Sequence, residues 1–253
     1  MKPQRGSASA LWDNDLIQFA RLLSEVRATQ PPLDLKALCD SMDLYKNEIE
    51  GLFDRAERVW ENAKTPPKDF DSWRTAIKRG ETPSKPATAL SKSGLLRKLG
   101  VKKLLDYGCG WAQDHKAYRK CGVATDKYDP APIFKACQMP AFNAYDMVTM
   151  MYVVNTLPPV PRADAVRAAA RHVRLHGVLL LVSRMPGEVS CSARNGEWER
   201  HEDGYYSGKG FQRGLSSTDL QALLNMTGMS ITQTLRLVGV NAACAYGVRT
   251  HQT

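Results

Sequence analysis

From residue 101 onward the chain alternates short apolar runs with amphipathic ones, and this alternation limits its fold more than any other feature. VKKLLDYG (101–108), VATDKYD (123–129), DMVTMMYVV (146–154) and GVLLLVSR (177–184) read as strands, rich in β-branched and long apolar side chains. WAQDHKAYRKCG (111–122) and RADAVRAAARHVRLH (162–176) carry helical spacing between them, and STDLQALLNMTG (217–228) adds a helix with Ser and Thr available as caps. Such alternation gives an α/β fold with a mostly parallel sheet and helices on both faces. ITQTLRLVG (231–239) and NAACAYGVR (241–249) follow as two adjacent strands, so the last strand is expected to run antiparallel.

The turn after the first strand carries the chemistry. In LLDYGCG (104–110) a strand runs into Gly108-Cys109-Gly110, and a helix opens behind it. Glycines let the backbone turn sharply and approach a ligand, and the helix start offers free N–H groups. Asp129 closes the second strand nineteen residues after Gly110, where a carboxylate can accept hydrogen bonds from ribose hydroxyls. Asp106 separates two ligand classes. A dinucleotide puts a pyrophosphate here, which a carboxylate repels; S-adenosylmethionine (SAM) puts a sulfonium and an ammonium here, which a carboxylate attracts. The third glycine of the nicotinamide fingerprint is absent, since Trp111-Ala112-Gln113 follows Gly110. A tight turn without ligand is the plain alternative.

LLDYGCGWAQD, KYDP, YDMVTMMYVVNTL and GVLLLVSR together resemble class I SAM-dependent methyltransferases, in particular the methyltransferase-like proteins associated with DNA phosphorothioation. TAIKRGETPSKPATAL (75–90) and DGYYSGKGFQRGLSSTDLQALL (203–224) extend the resemblance, which covers about residues 73–225. It implies a Rossmann-like sheet with an antiparallel last strand. It implies SAM as cofactor, bound by Asp106, Tyr107, Gly108, Cys109, Gly110, Asp114, Asp129, Pro130 and Val153. Tyr152 and Asn155 match the family's segment after the fourth strand. Trp111 and Ala112 depart from the family's small-residue pair, which leaves the path of the loop open. Only sixteen residues separate Asp129 from Asp146, little room for the third strand and helix that usually contact adenine; Asn143 is a candidate substitute.

Asn155, Tyr152 and Arg184 are the candidates for catalysis, at the strand ends where open α/β sheets bind ligands. Arg184 could meet a substrate phosphate or simply be a solvated charge. Asn155-Thr156-Leu157-Pro158-Pro159-Val160 is not the Asn-Pro-Pro-aromatic run of amino-directed DNA methyltransferases, and no cysteine stands there for cytosine-C5 chemistry.

The net charge of +9 is local. Residues 72–103 hold nine Lys/Arg against Glu81 alone, whereas residues 1–71 hold ten against thirteen Asp/Glu. A basic block of this kind suits phosphate, although a solvated linker explains it as simply. Lys78, Arg79, Lys85 and Lys92, with Lys209 and Arg213 from the aromatic–basic stretch 205–213, are the candidate nucleic-acid contacts. Residues 1–63 read as three helices, the last two a candidate helix-turn-helix or a module for a protein partner. Residues 64–100 form a Pro-containing connector with a helix expected near 87–99, and 101–253 form the SAM-binding domain. No apolar run approaches the roughly 20 residues of a membrane span. The six cysteines lack C-x-x-C spacing, which argues against a metal and for reduced thiols in a cytoplasmic protein.

Overall fold

The computed structural model describes residues 72–251. The helices expected over 13–63, including the candidate helix-turn-helix, lie outside the described residues. A 3₁₀ turn at Ser72–Thr75 leads to helix α1 (Lys85–Lys92) and the single-turn α2 (Leu95–Lys98). One helix was expected near 87–99, but Ser93 and Gly94 divide it. Gly94 takes φ +72°, and the Ser93 Oγ accepts from the Leu95 N–H. Ser84 starts α1, its Oγ accepting from Ala87 N–H at 3.2 Å, and Pro86 occupies a first-turn position that needs no N–H.

The main domain then runs β1 (Lys103–Tyr107), α3 (Gln113–Lys120), β2 (Ala124–Tyr128), β3 (Tyr145–Met151), α4 (Pro159–Ala170) and β4 (Val173–Ser183). It continues with α5 (Pro186–Asn195), three short strands β5 (Glu199–His201), β6 (Gly204–Tyr206) and β7 (Phe211–Gln212), α6 (Ser217–Asn225), β8 (Ile231–Thr234) and β9 (Ala243–Val248). The six-stranded sheet has the order β2-β1-β3-β4-β9-β8. β1 to β4 pair in parallel, and β9 inserts antiparallel between β4 and β8, as the two closing strands led one to expect.

Alternation along the strands builds two cores. Leu105, Val148, Leu179 and Leu181 face one side with Val166 and Ala169 of α4 and Leu220 and Leu224 of α6. Leu104, Met147, Leu180 and Val182 face the other with Ala87, Leu90, Leu96 and Tyr118 from α1 to α3. Both faces being covered explains why the central strands read as continuous apolar runs.

The helix expected over 162–176 stops at Ala170, and Val173 already pairs with Tyr145. Val173 continues the helical spacing of Val166 and Ala169, which hid the boundary. His176 at φ +60° and Gly177, where a Cβ would meet the Tyr145 carbonyl at 2.8 Å, turn the chain through an irregular register into the strand. Between β2 and β3 there is only the 3₁₀ turn Pro132–Phe134, so among the described residues the sheet ends on β2.

The short strands β5-β6-β7 form a second sheet that sequence patterning had shown only as an aromatic–basic stretch. Arg162 of α4 ties it down. Its side chain is 6% exposed, donates from Nε to the Val154 and Leu157 carbonyls, and grips Asp203 with both terminal nitrogens at 2.8 and 3.1 Å. Asp203→Ala would leave that guanidinium buried without its counter-charge. We expect a loss of about 2–3 kcal/mol in urea unfolding, below the full buried-pair value because Asp203 is partly exposed. A loss under about 0.5 kcal/mol would mean that the sheet is held without this pair.

Candidate active site

The C-terminal ends of β1, β2, β3 and β4 open onto one cavity of about 1090 Å³. At its centre is the glycine loop, held by the end of β2. Gly108 and Cys109 N–H both donate to the Tyr128 carbonyl, at 2.8 and 3.1 Å. Gly110 N–H donates to Asp129 Oδ2 at 2.9 Å, and Ala131 N–H to Asp129 Oδ1 at 3.0 Å. Each Asp129 oxygen keeps a second lone pair for a ligand hydroxyl. Gly108 sits at φ +75° with Val153 pressed against it; a Cβ there would lie 2.4 Å from Val153 Cγ2. Ala112 takes φ +56° to enter α3, which settles the loop path left open by Trp111 and Ala112.

Asp106 lies beneath this loop, 2% exposed, with its Oδ2 bonded to nothing in the protein. Burial pushes its carboxyl well above the ordinary carboxylate range, and the Asp114 and Asp129 charges push further, against one backbone N–H from His115. Asp114 and Asp129 are also raised, mainly by burial. Asp114 is satisfied within the protein: Ser84 N–H and Oγ donate to its two oxygens at 2.6 and 2.8 Å, joining the start of α1 to the first turn of α3. Burial, and then the Asp106 charge, push the loop thiol of Cys109 up, away from the reactive thiolate form. Tyr107 packs its ring 5.0 Å from Tyr128, and burial pushes its hydroxyl to about 12.

Every residue expected at the cofactor end lines this cavity: Asp106, Tyr107, Gly108, Cys109, Gly110, Asp114, Asp129, Pro130 and Val153. Tyr152, Asn155 and Arg184 line it too. Tyr152 stands at φ +59°, an unusual backbone for a bulky residue. Arg184 is not a loose charge; it donates to Glu188 at 2.8 Å, to Ser192 at 3.1 Å and to Gln212 at 3.4 Å. Asn143 does not take the adenine side. It is absent from the cavity wall, and its Oδ1 accepts from Arg249.

The six candidate nucleic-acid contacts separate. Lys78, Lys85 and Lys209 line the cavity; Arg79, Lys92 and Arg213 do not. Arg79 stacks on Trp111 at 4.8 Å, Lys92 is exposed in the last turn of α1, and Arg213 is engaged by Asp203. Sequence reasoning missed Ser84, Phe134 and Trp198 as wall residues, and reached Gln212 only as a member of the stretch 205–213. Ser84 caps α1 locally, but its bond to Asp114 spans thirty residues of chain, beyond the reach of local pattern. No metal-holding group of acidic, His or Cys side chains occurs among the described residues, nor a helix long and apolar enough to cross a membrane.

No family model matches the sequence, and no curated protein matches it. Solved structures do resemble it. An O-methyltransferase family protein from Burkholderia thailandensis aligns with a TM-score of 0.51 at 12% identity, covering 94% of this chain and 71% of that one. The apo S-adenosylmethionine-dependent methyltransferase SibL aligns with a TM-score of 0.50 at 13% identity, covering 94% of this chain and 95% of that one. A Nostoc punctiforme protein gives 0.50 at 11% identity, covering 92% of this chain and 94% of that one. The fold is the class I methyltransferase fold. The partnerless Asp106 oxygen, the glycine loop and Asp129 form an acceptor-rich lining that fits a cationic ligand bearing hydroxyls.

A raised native pKa means that folding favours protonated Asp106. Its contribution to stability is full below the ordinary carboxylate range and is lost as pH rises through the native pKa. Asp106→Asn removes that loss. The variant should exceed the wild type in stability at neutral pH by on the order of 1 kcal/mol, as expected where function and stability compete. Urea titrations at about pH 5 and about pH 8 check this. Equal pH slopes for the two proteins would show that Asp106 carries no such cost.

Proposed function

We propose that this chain is a SAM-dependent methyltransferase acting on nucleic acid, with DNA the favoured acceptor, in the cytoplasm. The observation that carries the cofactor reading is Asp106 Oδ2, buried without a partner at the glycine loop, on one cavity with Asp129. When bound, SAM supplies an electrophilic methyl group. The chain does the rest by position and charge. Asp106 attracts the ligand's positive end, Asp129 accepts from its hydroxyls, and Gly108 and Gly110 keep the backbone bare of side chains. The volume of about 1090 Å³ exceeds the usual range for one small ligand and leaves room for an acceptor.

The nucleic-acid reading rests on charge and on the resemblance to phosphorothioation-associated proteins. Lys78 and Lys85 come from the segment with nine Lys/Arg against one Glu, and Lys209 reaches the same cavity from the β6–β7 turn. Among the acidic wall residues, Glu188 is paired with Arg184 and Asp164 with Arg167, Glu81 lies beside Lys78 and accepts its backbone N–H, and Asp106, Asp114 and Asp129 are buried at the cofactor end. Lys85 and Lys209 are the wall cations that support this reading best. The free thiols among the described cysteines accord with a reducing compartment.

Calorimetry should show S-adenosylhomocysteine binding that weakens at least about tenfold in Asp106→Ala and in Asp129→Ala, a loss of about 1.4 kcal/mol or more each. Unchanged binding in both variants removes the site. Incubation with methyl-labelled SAM and cell lysate should give nuclease-sensitive label. Protease-sensitive or small-molecule label replaces the acceptor class, and binding without label leaves a SAM-binding module that does not turn over. Lys78, Lys85 and Lys209 changed together to Glu should lower nucleic-acid affinity and flatten its salt dependence while sparing S-adenosylhomocysteine. An unchanged salt slope assigns these lysines to solvent.

A further inference from the structure

Three polar side chains on the cavity wall form a directed chain. Gln212 of β7 receives two donors on its Oε1: Arg184 Nη1 and Asn155 Nδ2, each at 3.4 Å. Arginine only donates, so it fixes the Gln212 amide with its oxygen inward. A flipped Gln212 would set its NH₂ against the guanidinium. With that oxygen fixed, Asn155 must turn its own NH₂ toward it. The Asn155 Oδ1 is then left over, and it bonds to nothing in the protein.

The arrangement is held firmly. Arg184 is anchored by Glu188 and Ser192, and the Asn155 carbonyl accepts from Arg213 N–H at 2.8 Å, clamping it to the strand that carries Gln212. Asn155 is 2% exposed and Gln212 6%. An acceptor oxygen shut away from water meets little competition for any donor that a bound molecule brings.

We infer that Arg184 and Gln212 act as positioning residues that present Asn155 Oδ1 to the methyl-accepting molecule as a hydrogen-bond acceptor, so that this molecule is selected for a neutral N–H or O–H. The inference rests on the methyl-transfer reading and narrows its acceptor. A carboxylate or a fully substituted amine has no hydrogen to offer and is refused. An amide rather than a carboxylate at position 155 adds no charge, so a neutral amino or hydroxyl group is read for its hydrogen rather than for a positive charge.

Matched probes test this on the full chain: aniline against N,N-dimethylaniline and phenol against anisole, titrated with and without saturating S-adenosylhomocysteine. Side-chain amide resonances of Asn155 serve as reporter. The wild type should bind the hydrogen-bearing member of each pair about tenfold tighter, the worth of one well-made hydrogen bond. Gln212→Met, similar in size but without the oxygen, should bring the preference within about twofold and leave S-adenosylhomocysteine binding unchanged. Gln212→Glu, which keeps an oxygen toward Arg184, should retain the preference. Equal binding within the pairs, absence of probe binding, or a preference that survives Gln212→Met overturns the inference. Failure of S-adenosylhomocysteine to bind overturns the methyl-transfer reading instead.

Discussion

The end of β2 governs the site. One carbonyl, Tyr128, takes two N–H groups of the glycine loop, and the next residue, Asp129, takes a third through its side chain. These three bonds hold the loop in its left-handed turns at Gly108 and Gly110, and β2 cannot end elsewhere without losing them. Parallel register of β2 on β1, with Tyr107 opposite Tyr128, brings the two strand ends level. Asp106 and Asp129 reach the same cavity for that reason, although twenty-two residues of chain lie between them.

The electrostatic design follows from burial. Three carboxylates share the cofactor end, and each is held above its ordinary range. Asp114 has both oxygens met through Ser84, and Asp129 has one N–H on each oxygen, from Gly110 and Ala131. Asp106 keeps the unmet demand. A fold under selection for stability alone would place a leucine there, since Leu104 and Leu105 already fill the same strand. The unpaired carboxyl is therefore a cost, met by protonation or by a ligand that brings it a donor or a positive charge.

The parts of the molecule that local pattern controls were legible in the sequence. The parallel strands, the antiparallel close, the glycine loop and its two aspartates declare themselves through period, turn chemistry and spacing. The shortage of chain between Asp129 and Asp146 correctly signalled a sheet that stops at β2. What escaped depends on contacts distant along the chain. The split of α1 from α2 turns on Gly94, whose left-handed backbone is one option among several for a glycine. The end of α4 was masked because Val173 satisfies a helix stripe and a strand equally well. The hairpin carrying Gln212 has strands of only two or three residues, too short for a period to show, and its anchor Arg162 lies forty-one residues from Asp203.

That hairpin changes how Arg184 is understood. Read alone after an apolar strand, an arginine suggests a charge reaching for phosphate. In the folded chain the Arg184 guanidinium is spent on Glu188, Ser192 and Gln212, and its charge is largely compensated at short range. An arginine so bound serves geometry better than attraction, because its planar fork fixes the orientation of whatever accepts from it. Long-range attraction then falls to lysines without such bonds, and Lys78, Lys85 and Lys209 stand on the cavity wall in that condition. Under the proposed function, recognition is divided between two kinds of cation: lysines that gather an anionic partner, and an arginine held in place that aligns the amide chain ending at Asn155.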